Sequence, residues 1–438
     1  MANGAWSTAS DQFRAQWAEP SDIFSVLLIL GGDVVLGALA AVTGAGPVSA
    51  VAFSFGWVAY AVSALVSAVG DSRLMSCPPE VSLKVFNLRS GYQRQNQSWL
   101  LARVFKTHDF WMADEVRQRL HPSRARAGRR RADIELGRAA ATLIGGPPAT
   151  PRDKHVALCV SIYRWRDDRE PGVPTRDVIW WSGFVVSFVQ LGIAAIPLGL
   201  YRDWSILLAT AGGTALAYTS ASLPQWRREK WHARSGPKDV AITIGNGTQQ
   251  VIVVQGENTA RQSLDLEDLA GGLTPDLAST PFAMMVLAAL WLVLLITCTG
   301  IQVHTWYLLA VGGIGMLHNI IVAGAPRNPA ALGLPIELAQ RGPHNAGELV
   351  ADAVFAESKV MWTLMKLEEQ YKGYGKALLP EFFPGDVSDL ERQWWESENA
   401  DQRQELFPKI QEEVCRRALR KQQRQQELAA DNKADVSP

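Results

Sequence analysis

Asp33, Gln190, His318 and Asn319 are polar residues set inside strongly apolar sequence. If those stretches lie in a bilayer, an ionised group there costs roughly 3 kcal/mol or more, so each polar residue needs a reason. Asp33 stands near the middle of its stretch, in Gly31-Gly32-Asp33, and Gln190 near the middle of another. His318 and Asn319 lie toward one end of a third. Two readings follow. Asp33 is a proton- or cation-responsive group with Gln190, His318 or Asn319 as neutral partners, as in a transport path. Alternatively, Asp33 is a structural lock, protonated or hydrogen-bonded inside a helix bundle.

No catalytic constellation accompanies them. The chain has no HExxH, no GxSxG and no strand-linked GxGxxG, and its seven histidines are scattered. Cys77, Cys159, Cys298 and Cys415 form no CxxC pair, so neither a metal framework nor a cofactor is expected. Asp167, Asp168 and Asp177 stand among Arg164, Arg166, Arg169 and Arg176 and read as paired surface charge. Gly373-Tyr374-Gly375-Lys376 lacks the spacer and hydroxyl of a phosphate loop and reads as a glycine helix stop.

The elements that must position the polar residues are six apolar segments in three tight pairs. They run approximately Ile23–Val42 with Pro47–Val69, Val178–Leu200 with Trp204–Leu223, and Phe282–Gly300 with Thr305–Ala323. Each is near the ~20 residues a helix needs to cross hydrocarbon. The predicted fold class is therefore an α-helical polytopic membrane protein, six transmembrane helices in three hairpins, with a small cytosolic α+β module. That module is built from the inter-hairpin loops and C-terminal helices. The boundaries are 1–22 for a cytosolic N-terminus, 23–69, 178–223 and 282–323 for the hairpins, 70–177 and 224–281 for the loops, and 324–438 for the C-terminal region.

Sidedness follows from the basic residues. The 70–177 loop carries 20 Lys/Arg against 12 Asp/Glu, and Arg227, Arg228 and Lys230 follow the fourth segment closely. The short links offer only Arg202, beside Asp203. Both termini are predicted to be cytosolic. The sequons at Asn96 and Asn246 would then stay unmodified, and a glycan on either would overturn the orientation. Small residues (Ala209, Gly213, Ala217 and Ala221; Ala59, Ser63 and Ser67; Gly312, Gly313 and Gly315) are expected to form helix-contact faces. Trp57 and Trp291 are expected to be packing residues.

In the loops, Val81–Leu88, His155–Tyr163 and the pair Val240–Ile244 and Gln249–Gln255 alternate as strands do, the last two joined across Gly245-Asn246-Gly247-Thr248. They predict a small antiparallel sheet beneath the bundle. Trp99–Leu120 predicts one helix, ended by His121-Pro122. The run Arg124, Arg126, Arg129, Arg130 and Arg131 is a candidate contact for anionic inner-leaflet lipid or simply a solvated basic loop, and nucleic acid is a poor partner for it. Asn345 with Glu348, and Ser388 with Glu391, have the spacing of capping boxes. The first would open a helix through Val354, Met361, Leu364 and Leu367. Asp431–Pro438 is expected to be disordered.

Gly70-Asp71-Ser72-Arg73-Leu74-Met75, Ser90–Asn96, Leu317-His318-Asn319 with Val322–Arg327, and Leu364–Gly385 with Phe382-Phe383-Pro384-Gly385 carry a resemblance. Together they resemble a large family of uncharacterised integral membrane proteins from filamentous fungi. The resemblance implies a fungal multi-pass protein and no particular activity. The expected function is a membrane-anchored sensor, scaffold or regulatory protein with cytosolic protein partners. A channel or transporter using Asp33, Gln190 and His318, and a membrane-embedded lipid-modifying enzyme, are the alternatives. Oligomeric state is left open.

Overall fold

A computed structural model describes residues 31–70, 73–121, 156–256, 263–273, 279–339 and 352–434. Four helices are long and apolar enough to cross a membrane: Val178–Tyr201, Ser205–Lys230, Ser279–Thr299 and Thr305–Gly324. The second is interrupted before Pro224, so its membrane part is Ser205–Ala221 and the polar Pro224–Lys230 forms a separate turn of helix. Around them are large exposed apolar side chains, such as Phe188 at 73% and Ile296 at 71%. In water such faces would be unstable; against lipid tails they are neutral. The chain is a membrane protein.

The first apolar pair departs from expectation in its second member; residues 23–30 of the first lie outside the described residues. Its helices are Gly32–Val42 (α1) and Gly56–Gly70 (α2), only 11 and 15 residues long among those described. The stretch Pro47–Val69 is helical only from Gly56; residues 48–54 have no regular structure and Ser49–Phe55 is buried. Gly44, Gly46 and Pro47 disfavour continued helix. Hydropathy cannot separate a buried extended segment from a buried helix, and this one is extended.

Three short helices, Trp99–Lys106 (α3), His108–Trp111 (α4) and Asp114–Leu120 (α5), precede the spans Val178–Tyr201 (α6) and Ser205–Ala221 (α7). Pro224–Lys230 is α8 and Leu266–Ala270 is α9; the last two spans are Ser279–Thr299 (α10) and Thr305–Gly324 (α11). Val360–Gln370 (α12), Tyr374–Phe382 (α13), Asp389–Glu396 (α14) and Ala400–Ala434 (α15) complete the helices. Helix α11 packs on α1 and α6, and α10 on α2 and α7. The two short links meet on the far side of the bundle: His304 Nδ1 lies 3.2 Å from Asp203 Oδ2, and its ring stacks on Tyr201.

On the opposite side lie the strands Lys84–Asn87 (β1), Gln93–Gln95 (β2), Leu158–Trp165 (β3), Val240–Thr243 (β4), Gln250–Gln255 (β5), Ile336–Leu338 (β6) and Val354–Glu357 (β7). Among the described residues they form a seven-stranded sheet of order β2-β1-β4-β5-β3-β6, with β7 also on β3. The hairpin across Gly245–Thr248 forms as expected, and Gly245 and Gly247 take the positive φ its turn needs. Three expectations fail. The sheet is mixed, because β3 and β5 pair in parallel. It recruits β6 and β7 from the C-terminal region as well as the loops. Its β3 is buried along both faces, where alternation suggested one. Leu158, Val160 and Ile162 face Leu364, Leu367 and Trp394 of the C-terminal helices. Tyr163 and Trp165 belong to the core shared with the bundle. A strand between two apolar layers needs no polar face.

Three helix expectations also change. Trp99–Leu120 breaks into α3, α4 and α5. Val354 lies in β7, and the helix begins only at Val360; Asn345 and Glu348 lie outside the described residues. Asp431–Ala434 continues α15, and 435–438 lies outside the described residues. The capping box at Ser388 and Glu391 is present, and Gly373 (φ 94°) marks the break between α12 and α13.

Candidate functional site

The polar residues at membrane depth are drawn to the extended segment. Gln190 donates to Phe53 O at 2.7 Å and to Val311 O at 2.8 Å. Asn319 donates to Ala52 O at 3.1 Å and to Ser54 Oγ at 3.3 Å. The indole of Trp57 donates to Ala52 O at 3.0 Å. Backbone that leaves a helix within hydrocarbon must find partners inside the protein. These side chains supply them. His318 Nε2 pairs instead with Ser182 Oγ at 2.9 Å. Asp33 is exposed and joins none of these contacts, so the four residues do not converge.

The small residues serve the same segment. A Cβ at Gly183 would fall on Ala50 O, at Gly213 on the Phe53 ring, at Gly312 on the Phe55 ring and at Gly315 on Phe53 O. Gly313 meets nothing. Gly183, Gly213, Gly312 and Gly315 therefore make room for extended backbone, where the last three were expected to let two helices touch. On α2 the buried face is Trp57, Tyr60, Ala61, Ala64 and Ala68, while Ser63 is exposed and Ala59 and Ser67 are half-buried. Trp291 stacks on Trp57 at 5.4 Å and on Phe53 at 6.2 Å, closing the packing around the turn into α2.

One buried arginine, Arg103, joins the sheet module to the bundle, and a second, Arg327, ties together the ends of bundle helices. Arg103, on α3 and 5% exposed, donates to Ala323 O at 2.6 Å and Ala325 O at 3.0 Å, and pairs with Glu80 at 2.8 Å. Arg327 pairs with Asp177, the N-cap of α6, at 2.6 Å and also donates to Ala41 O at the end of α1. Positive charge suits the carbonyl ends of α1 and α11.

Beside this seam is a cavity of about 300 Å³ whose lining includes Arg73, Met75, Cys77, Trp99, Glu229 and Lys230. Lys230 is only 1% exposed, and among the described residues its ionisable neighbours are Arg327 and Cys77, with no carboxylate. Its ammonium nitrogen stands 4.9 Å from the Trp231 ring centre, 5.9 Å from that of Trp99, and 3.5 Å from Thr43 O. Glu229 turns away from it and accepts from Leu74 N at 2.9 Å and Met75 N at 3.0 Å. Burial, followed by the nearby Glu80 and Asp33 carboxylates, pushes the Cys77 thiol up to about 12, so it is no nucleophile.

Sequence reasoning read Lys230 only as topology-setting charge, and it passed over Arg103 and Glu229. The available signal was the local run Trp226-Arg227-Arg228-Glu229-Lys230-Trp231, in which a short charged turn is bracketed by tryptophans. Arg124, Arg126, Arg129, Arg130 and Arg131 lie outside the described residues. Among the described residues no group of His, Cys, Asp and Glu could hold a metal ion. Comparison with protein-family models, curated proteins and solved structures finds no match for this chain.

Proposed function

We propose that the protein is a membrane-anchored sensor or regulatory scaffold whose sheet module is its working surface. The observation that carries this reading is the seam. Arg103 ties module to bundle through buried charged contacts, Arg327 ties together the adjoining ends of α1, α6 and α11, and a cavity lined by Lys230 opens beside them. Occupancy of that cavity would be felt by the loop after α2, by α8 and by α3 together, because all three line it. The intramembrane polar side chains support the reading too, since their N–H groups are spent on the fold.

The proposal includes a cytosolic module, protein partners there, kinship with the fungal membrane proteins noted above, and an extended first segment that re-enters the bundle from the sheet side. Asn246 is the informative reporter of sidedness, being exposed where Asn96 is buried. Proximity labelling from a tag after α15 should return a reproducible set of cytosolic neighbours that changes in Arg103→Met. Labelling indistinguishable from that of an unrelated membrane protein would sink the reading.

One observation favours transport as a second reading: half-length helices flanking irregular backbone resemble the broken helices of secondary transporters. Solute flux in proteoliposomes that disappears in Gln190→Leu would put transport first.

A further inference from the structure

We infer that the seam cavity binds a phosphate-bearing anion, with Lys230 and Arg73 as its cationic anchors. The inference deepens the sensor reading and rests on it for the consequence of binding, while its chemistry rests on the cavity alone.

The argument begins with charge. A buried ammonium without a carboxylate is costly unless something else supplies the counter-charge. Among the described residues, Lys230 meets a distant carbonyl and two aromatic faces, with the Arg327 guanidinium adding like charge nearby. Cation–π contact at these distances offsets only part of the desolvation; burial, and then the nearby Arg327 guanidinium, lower the Lys230 pKa well below its usual value, so the ammonium form is held where an anion joins it. The lining adds Arg73 and His232. Arg73 spends one terminal nitrogen on Gly272 O at 2.9 Å, which fixes the guanidinium and leaves its other donors available in that geometry. Glu229, the one acid in the lining, has both carboxylate oxygens taken by backbone N–H groups.

Shape selects further. The volume of about 300 Å³ is at the low end for ligand pockets, enough for a headgroup and a few carbons. Met75, Pro79, Trp99, Leu269 and Leu273 provide an apolar wall for those carbons. A phosphate monoester offers a double negative charge and three acceptor oxygens, which matches a site with several cationic donors. Its source is either a lipid headgroup reaching the seam from the bilayer or a soluble phosphate ester.

The test uses the full-length purified protein, with intrinsic tryptophan fluorescence as readout because Trp99 and Trp231 flank Lys230. Glycerol 3-phosphate is titrated into protein in phosphatidylcholine nanodiscs. In the second arm the nanodiscs contain phosphatidic acid and no soluble ester is added. Saturable binding in either arm is expected, weakened about tenfold or more in Lys230→Met and in Arg73→Gln, and unchanged in Arg234→Gln on the surface. The responding arm assigns the source. Absence of saturable binding in both arms, or full retention in Lys230→Met and Arg73→Gln, overturns the inference. Should Lys230→Met fail to fold, Arg73→Gln decides alone, since Arg73 is exposed. Binding that leaves the set of labelled neighbours unchanged would sink the sensor reading and leave this inference standing.

Discussion

Arg103 donates a hydrogen bond of 2.6 Å to the carbonyl oxygen of Ala323. The donor lies on a helix of the sheet module and the acceptor in the last turn of the final membrane span, 220 residues apart in sequence. The same guanidinium holds Ala325 O and Glu80. One buried group thus satisfies the end of a helix and one side of an ion pair.

Replacing Arg103 with Met should therefore cost about 2–4 kcal/mol, because two carbonyls and one oxygen of Glu80 lose their partner in a part-buried place while Lys106 keeps the other oxygen. Thermal unfolding in detergent measures the loss. A melting temperature equal to that of the wild type would show that the seam is held elsewhere.

Gly315 and Gly313 are two residues apart on α11 and should respond oppositely to Ala. At Gly315 the methyl group falls on Phe53 O, and overpacking should cost about 1–3 kcal/mol. At Gly313 it meets nothing, and helix propensity should make the change neutral or stabilising by up to about 1 kcal/mol. Equal melting temperatures for the two variants would contradict the extended path assigned to residues 49–55.

Gln190→Leu keeps the volume and removes both donated hydrogen bonds, leaving Phe53 O and Val311 O buried without that partner. A loss of about 2–4 kcal/mol is expected, at roughly 1–2 kcal/mol for each abandoned carbonyl. Unchanged stability together with altered flux would favour a functional role for the amide.

His108 should make the module acid-labile. It is enclosed by Tyr163, whose hydroxyl is 2.8 Å from Nε2, by Gln250 at 3.2 Å from Nδ1, and by Trp111. Burial lowers its pKa from 6.5 to about 4; the Gln250 hydrogen bond and the nearby Asp109 oppose the shift more weakly. The unfolded chain thus binds a proton at a pH where the folded chain does not. Stability from this residue is complete above about pH 6.5 and falls as pH drops toward 4, by roughly 3 kcal/mol in all. His108→Phe should flatten that part of the curve of melting temperature against pH. A wild-type curve already flat between those values would refute the assignment.

Much of this was legible in the chain. The four long spans, the hairpin at Gly245–Thr248, the cap at Ser388 and the break at Gly373 each depend on local signals: length of apolar run, turn chemistry, capping spacing. Expectation and structure part where burial is two-sided. Pro47–Val69 is a nearly continuous apolar run and carries no period to separate helix from extended segment, while the alternation in His155–Tyr163 marks a strand and says nothing of what covers its second face. The polar residues Gln190 and Asn319 were visible, but their partners are carbonyl groups, which every residue possesses and no sequence pattern marks.

Sequence alone determined that this chain enters a membrane, because hydrophobicity and length are properties of each segment taken singly. Tertiary structure alone decided how the first apolar pair lies and what Gln190, Asn319 and the glycines are for. It also decided that Lys230 ends in a cavity wall with no acid beside it. Those outcomes depend on which distant groups meet, and only closing the chain in three dimensions fixes that.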